Sequence, residues 1–303
     1  MRAMPALTPT DAAFEEQRSL LFGVAYRMLG AIAEADDAVQ ETYLRYRAAE
    51  GVASPRAYLV TVVTRICLDV LKSARVQREQ YIGPWLPEPL VRRAGAAPSP
   101  EDVVEHEDSV SLAFLVMLEE LGPVERAVFL LREVFDYDYA DIAEIVGRNA
   151  TACRQVFRRA REHLAERHHR FTAPYDKRRD LTARFLAAAN EGDMAGLMQL
   201  LSADVVAYSD GGGKRAAALN PLFGPDHVAR FILGVRKKEP HLLPEFADVN
   251  GWPGVTLWSR TGRLDSVLAL DLDEHAKVRA VYIVRNPDKL GHVGEPRMKA
   301  RPE

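Results

Sequence analysis

The chain has 303 residues, more than one hydrophobic core usually organises, so two or three domains are expected, and 48% hydrophobic residues give each enough to bury. A formal net charge of −3 gives no overall bias toward a polyanion, and two cysteines, Cys67 and Cys153, with no C-x-x-C or His–Cys pair speak against a disulfide framework or a metal site; no cofactor is expected. No apolar run approaches the length of a membrane span and no secretory leader is evident, so a soluble, cytoplasmic protein is expected.

The first 75 residues or so read as helix. Thr8-Pro9-Thr10-Asp11 combines a cap, a proline at the first helical position and an acid three residues on, and Phe14, Leu21, Val24, Ala25 and Met28 follow as one apolar face. A second helix is expected over Glu34 to Ala48, with Val39, Tyr43 and Leu44 inward and Asp36, Asp37, Gln40 and Glu41 outside. A third opens at Ser54-Pro55, buries Leu59, Val62, Val63, Ile66 and Val70, and turns Arg56, Tyr58, Arg65 and Lys72 outward. Three amphipathic helices with short joints make a compact bundle.

Gly83 to Pro100 holds five Pro and two Gly in eighteen residues, a composition read as forbidding helix and strand alike and predicting a proline-stiffened link over residues 81–108. A plain tether has no use for Trp85, so Trp85-Leu86-Pro87-Glu88-Pro89 is expected to pack, either pinned on the N-terminal bundle or in a functional contact.

Residues 109–172 form the next domain. A short helix, Tyr139 to Val146, stops at Gly147, and Asn149 caps another in which Cys153, Val156, Phe157, Ala160 and Leu164 make one buried stripe. Thr151, Arg154, Gln155, Arg158, Arg159 and Arg161 are left pointing out. This is a helix-turn-helix with a basic second helix, which fits a major groove. Arg148 to Arg170 carries seven Arg against two Glu, whereas Glu101 to Glu144 carries thirteen acids against two Arg, so DNA is drawn to one stretch and repelled by the other. Arg154, Arg158 and Gln155 are candidates for base edges; Arg159, Arg161, Arg167 and Arg170 suit phosphates.

Residues 176–295 follow a different plan. Two helices (Arg179–Ala189 and Met194–Leu201) precede a strand at Asp204–Tyr208, a helix at Asp226–Leu233, a strand at Gly254–Ser259, and a hairpin of Ser266–Asp271 with Val278–Arg285, for an α+β fold with a curved antiparallel sheet. Two strings stand out. In Asp210-Gly211-Gly212-Gly213-Lys214 three glycines lose much entropy on ordering, which requires a reason such as a nest of N–H groups around an anion or a partner carboxylate. Asn286-Pro287-Asp288-Lys289-Leu290 follows the last strand.

The stretches A-D-D-A-V-Q-E-T-Y-L-R (35–45) and S-P-R-A-Y-L-V-T-V-V-T-R-I-C-L-D (54–69), followed by the helix-turn-helix, resemble an extracytoplasmic-function sigma factor: region 2 over residues 8–80 and region 4 over 109–172. The resemblance implies a multidomain chain in which two all-α domains precede an α+β domain similar to the SnoaL-like cones. It implies that Asp36, Asp37, Ala38, Val39, Gln40 and Glu41 dock on the beta-prime clamp helices of core RNA polymerase. Around the joint that follows, Arg45, Arg47, Arg56, Tyr58 and Arg65 would open and read the promoter −10 element, since an unstacked strand suits polar and aromatic groups beside a cationic track. Tyr43 and Tyr46 read equally well as packing. Region 4 would read the −35 element and touch the beta flap. W-L-P-E-P, D-G-G-G-K and N-P-D-K-L resemble the SigJ-type branch, in which the extra domain tunes sigma activity; Asp210, Lys214, Asn286, Asp288 and Lys289 are then expected at an interdomain contact.

The class implied is a transcription initiation factor of the stress-response kind, not an enzyme. Two alternatives are a ligand-sensing DNA-binding regulator that works without polymerase, and a SnoaL-like enzyme fused to a DNA-binding module, with Asp204, Asp226, His227, Asp271 and Asp273 as its local candidates. A small-molecule ligand in the C-terminal domain is compatible with the first reading. Oligomeric state is left open.

Overall fold

The computed structural model describes residues 8–93, 111–165 and 173–294. The far half of the proline-rich stretch, and Arg167 and Arg170, lie outside the described residues. The chain divides into two compact units: Met1–Glu79 with Pro98–Ser109 and Met117–His168, and Gln80–Ala97 with Val110–Val116 and His169–Glu303.

The first unit is all helix. Helix α1 (Pro9–Glu15) opens with a reciprocal cap, Asp11 N–H to Thr8 Oγ1 and Thr8 N–H to Asp11 Oδ2, both 3.2 Å. Helix α2 (Arg18–Leu29) ends at Gly30, whose φ of 72° only glycine adopts without strain. The apolar face expected as one run is thus shared by two helices. Helix α3 (Ile32–Ala48) buries Ala35, Ala38, Val39, Thr42 and Tyr46, a stripe at three-and-four spacing. Leu44, expected inside, stands 53% exposed, because two residues past Thr42 the helix has turned it to the opposite side. Helix α4 (Pro55–Glu79) completes the bundle with Leu59, Val63 and Cys67 buried, and Val62, Ile66 and Val70 half-buried.

Helix α5 (Leu112–Leu118) is followed by α6 (Pro123–Glu133), α7 (Tyr139–Val146) and α8 (Ala150–Ala165). Pro123 opens α6, and the Glu125 side chain accepts the Gly122 N–H at 3.1 Å. Helices α6, α7 and α8 pack around Leu130, Ile142, Ile145, Cys153, Val156 and Ala160, all buried.

The second unit is built on one seven-stranded sheet in the order β1-β4-β5-β6-β7-β2-β3. The strands are β1 (Val91–Arg93), β2 (Leu201–Asp210), β3 (Leu222–Phe223), β4 (Leu243–Val249), β5 (Trp252–Trp258), β6 (Leu264–Leu272) and β7 (Val278–Val284). Helices α9 (Tyr175–Glu191), α10 (Met194–Leu200) and α11 (Pro225–Lys238) share a core with one set of alternating sheet residues, including Val205, Val255, Leu268, Leu270, Val281 and Ile283. The intervening set, with Val267, Ala269, Ala280, Tyr282 and Val284, packs instead with Leu86 of the W-L-P-E-P string and Leu112 of α5.

Two expectations are corrected. The sheet is not purely antiparallel: β2 and β7, far apart in the chain, run parallel, pairing Tyr208 with Tyr282 and Asp210 with Val284. The proline-rich stretch does not forbid a strand. Val91–Arg93, free of Pro and Gly, pairs antiparallel with Ala247–Val249 at the edge of the sheet, the one place where neighbouring prolines cost no ladder bonds. Trp85 and Leu86 accordingly belong to this unit rather than to the N-terminal bundle.

Candidate functional site

The helix-turn-helix is assembled by local chemistry. Asp138 caps α7 through bonds from Ala140 N–H (2.8 Å) and Asp141 N–H (2.9 Å), and Gly147 ends it at φ 69°. Asn149 Oδ1 then accepts the Ala152 N–H at 2.8 Å and opens α8. Cys153, Val156, Ala160 and Leu164 face inward; Thr151, Arg154, Gln155, Arg158, Arg159 and Arg161 are exposed. Phe157 is half-buried between the rings of Phe129 and Tyr139. Two of the outer arginines have partners. Arg154 lies over the Tyr139 ring at 5.2 Å, and Arg158 approaches Glu162 at 3.7 Å in an exposed pair easily exchanged for a phosphate.

On α3, Asp36, Asp37 and Gln40 are exposed and Glu41 is half-buried with a 2.9 Å pair to Arg45. Ala38 and Val39 are in the bundle core, so these two members of the motif hold the helix in place and leave the outward surface to their neighbours. Tyr43 packs on Phe14, donates to Asp11 Oδ1 at 2.7 Å and underlies Arg47; the Thr8 hydroxyl and then this phenol lower the pKa of Asp11. Tyr46 is buried beside Tyr58, while Arg45, Arg47 and Arg56 are exposed.

Arg65 does something spacing did not suggest. From α4 it reaches the end of α7, where its Nε and Nη2 donate to the carbonyls of Ile145 (3.0 Å) and Glu144 (2.8 Å). These are C-terminal carbonyls without helical partners, and a cation is favoured there. Arg126 of α6 makes the return contact. Only 3% exposed, it donates to the Met28 carbonyl near the end of α2 at 2.6 Å and pairs with Glu119 at 2.7 Å. The bundle and the helix-turn-helix are therefore tied by two arginines, each on the other's helix end. Arg126 reads from sequence as an ordinary amphipathic-helix charge and carries no signal of this role.

In the second unit the two distinctive strings meet. Asp210, fully buried at the end of β2, accepts from Tyr81 Oη (2.6 Å), Leu86 N–H (2.9 Å), Gly212 N–H (3.0 Å) and Lys289 Nζ (2.7 Å). Lys289 also donates to the Leu86 carbonyl and stands 4.1 Å from the centre of the Trp85 ring. Asn286 donates to Tyr81 Oη at 2.9 Å, and Lys214 pairs with Asp288 in the open. Burial, and after it the Asp210 carboxylate, raise the pKa of the Tyr81 phenol. The glycines have their reason. A Cβ on Gly211 would lie 2.2 Å from the Arg215 carbonyl, one on Gly212 (φ 58°) 2.3 Å from Asn286 Nδ2, and one on Gly213 (φ 70°) 2.8 Å from Ile82 Cδ1. The carboxylate that the loop holds, through the Gly212 N–H, is Asp210 itself. Leu86 belongs to the W-L-P-E-P string expected to pack, whereas Tyr81 carries no signal of this role in the sequence. Pro287 and Leu290 complete the turn, with Leu290 in the core.

The acids and the histidine considered for chemistry are dispersed. Asp226 pairs with Arg230, His227 bonds the Phe223 carbonyl, Asp271 pairs with Arg279, Asp204 accepts from Ser202, and Asp273 closes the β6–β7 turn. Among the described residues no three His, Cys, Asp or Glu are grouped to hold a metal, and no helix is long and apolar enough to cross a membrane.

Comparison with known proteins agrees with this anatomy. Residues 13–76 match the family Sigma-70 region 2, and residues 111–164 match Sigma-70, region 4. The chain is 37% identical over 291 residues to the ECF RNA polymerase sigma factor SigJ of Mycobacterium tuberculosis, covering 91% of this chain and 92% of that one. It is 34% identical to the probable ECF RNA polymerase sigma factor SigI of the same species, covering 93% and 95%. The crystal structure of M. tuberculosis SigJ superposes with a TM-score of 0.77 at 34% identity, covering 92% of this chain and 98% of that chain. The fold is that of a transcription initiation factor. The chain belongs to the extracytoplasmic-function RNA polymerase sigma factors, which act as specificity subunits and not as enzymes.

Proposed function

We propose that α3 docks on the beta-prime clamp helices of core polymerase through Asp36, Asp37, Gln40 and Glu41, with the exposed Leu44 at the same surface. Arg45, Arg47, Arg56 and Tyr58 line the −10 track, and Arg65 joins them once it leaves α7. Thr151, Arg154, Gln155, Arg158, Arg159 and Arg161 of α8 read and grip the −35 element, with region 4 also meeting the beta flap. The work is done in the cytoplasm, where the polymerase is. One observation carries the reading: in α8 a polar and cationic face of Thr151, Arg154, Gln155, Arg158, Arg159 and Arg161 stands exposed opposite the buried Cys153, Val156, Ala160 and Leu164, a surface suited to a groove.

The SnoaL-like α+β domain modulates this activity through the Asp210 contact, which holds residues 81–86, the stretch directly following α4, against the sheet. Run-off transcription with purified core polymerase tests both parts. The chain should start transcripts from a subset of promoters, R154A should remove them, and Asp210→Asn should change their yield. Absence of any polymerase-dependent start, from either the natural chain or one ending near Tyr175, overturns the reading.

A further inference from the structure

Beside the Asp210 contact the second unit holds a cavity of about 630 Å³ that opens to solvent, within the range of small-ligand sites. Trp258, Leu264 and Leu290 give it an apolar wall. Arg285, 7% exposed, lies in it with its charge already answered: Nη2 bonds Glu239 (2.8 Å) and Asp265 (3.0 Å), and Nη1 bonds the Ala216 carbonyl (2.9 Å). Its Nε is buried without a hydrogen-bond partner among the described residues. Arg215 and Arg263 also line the cavity, the first half-buried and the second exposed, and neither is paired with a carboxylate among the described residues. An apolar wall below two unanswered guanidinium groups selects a molecule with an apolar body and one anionic end.

The cavity shares a structural element with the regulatory contact. Pro287 and Leu290 line it, while Asn286 and Lys289 of the same turn bond Tyr81, the Leu86 carbonyl and Asp210. Arg215, which also lines it, follows Lys214 of the glycine loop that closes on Asp210. A ligand seated here lies against the turn whose side chains hold residues 81–86.

We propose that this cavity binds a small amphipathic carboxylate and that its occupancy shifts the turn at 287–290, changing the hold on Tyr81 and Leu86. The proposal rests on the reading that the C-terminal domain modulates sigma activity, and adds the ligand class and the route. A ligand biases such an equilibrium only through contacts that differ between its two states, and the Pro287–Leu290 turn supplies them.

The test uses the full chain. Anilinonaphthalene sulfonate, an apolar body with one anionic group, should bind saturably and be displaced by decanoate, with decanol displacing it at least about tenfold less well, as expected if the anionic end contributes about 1.4 kcal/mol. R215A/R263A should weaken the probe by a similar factor, and Leu264→Trp should exclude it. Decanoate should also alter hydrogen exchange at the Leu86 amide, the group that donates to Asp210. Probe binding unmoved by R215A/R263A and by Leu264→Trp overturns the site. Binding that leaves Leu86 exchange unchanged overturns the coupling. If Asp210→Asn changes transcription while the cavity stays empty of probe, the modulation stands and the ligand does not.

Discussion

Lys289 Nζ lies 2.7 Å from Asp210 Oδ2, and the carboxylate is wholly shut away from water. A buried pair of this kind is worth little against an apolar replacement of both partners, but removing one leaves the other stranded. Lys289→Met should therefore cost the second unit about 3–5 kcal/mol, and D210N/K289M markedly less than the sum of its parts. Urea unfolding followed by tryptophan fluorescence measures both. A double variant that costs as much as the two single variants added together would mean that the two groups are not coupled.

The glycine loop offers a second perturbation. Gly212→Ala places a methyl group 2.3 Å from Asn286 Nδ2 at a φ of 58° that L residues rarely adopt, so the Asn286–Tyr81 bond must give way. The expected result is faster exchange at the Leu86 amide with helical content unchanged. Gly147→Ala has the same left-handed backbone but nothing near its new methyl, so its cost should be strain alone, about 1 kcal/mol, and confined to the helix-turn-helix.

High pH should weaken the second unit through two of its phenols. Burial and then Asp248 push the Tyr175 phenol up to about 12, and Tyr81 is raised by burial and by Asp210. A raised phenol contributes stability that is complete below its unfolded pKa of about 10 and is lost as pH climbs through the folded value. Alkaline unfolding, with tyrosinate absorbance as the readout, should accordingly begin above about pH 10 and run toward 12. Y81F should flatten the dependence over that interval, and an unchanged profile would remove Tyr81 from the account.

On α8, base readers and phosphate contacts should separate by how their loss behaves. R154A or Q155A should cost about 1–3 kcal/mol at particular −35 positions, enough for R154A to remove starts from promoters that depend on that base while leaving those with other bases there little changed. R159A should weaken binding to all sequences alike and reduce the salt slope by about one. Promoter-library transcription at two salt concentrations distinguishes these outcomes. Uniform weakening by R154A would reassign that residue to the backbone.

Sequence reasoning performed best where local rules decide the outcome. The capping pair Thr8/Asp11, the helix at Tyr139–Val146, the Asn149 cap and the buried stripe of α8 were legible because spacing and caps specify them within a turn or two. The fused domain showed its helices and its β6–β7 hairpin but not β4, whose Leu-Pro-Glu-Phe start lacks clean alternation. Nor did it show β1, a strand only because an edge was available to receive it. The parallel β2–β7 pair and the arginine contacts at helix ends join positions roughly 75 to 100 residues apart, beyond the reach of any local pattern.

Arg65 has one guanidinium and two claims upon it. While its Nε and Nη2 close the last turn of α7 they are not available to a nucleotide. On the proposed reading, a promoter strand that recruited Arg65 would have to leave those two carbonyls to water or DNA, so undocking of the reading head and arming of the melting surface would become the same event.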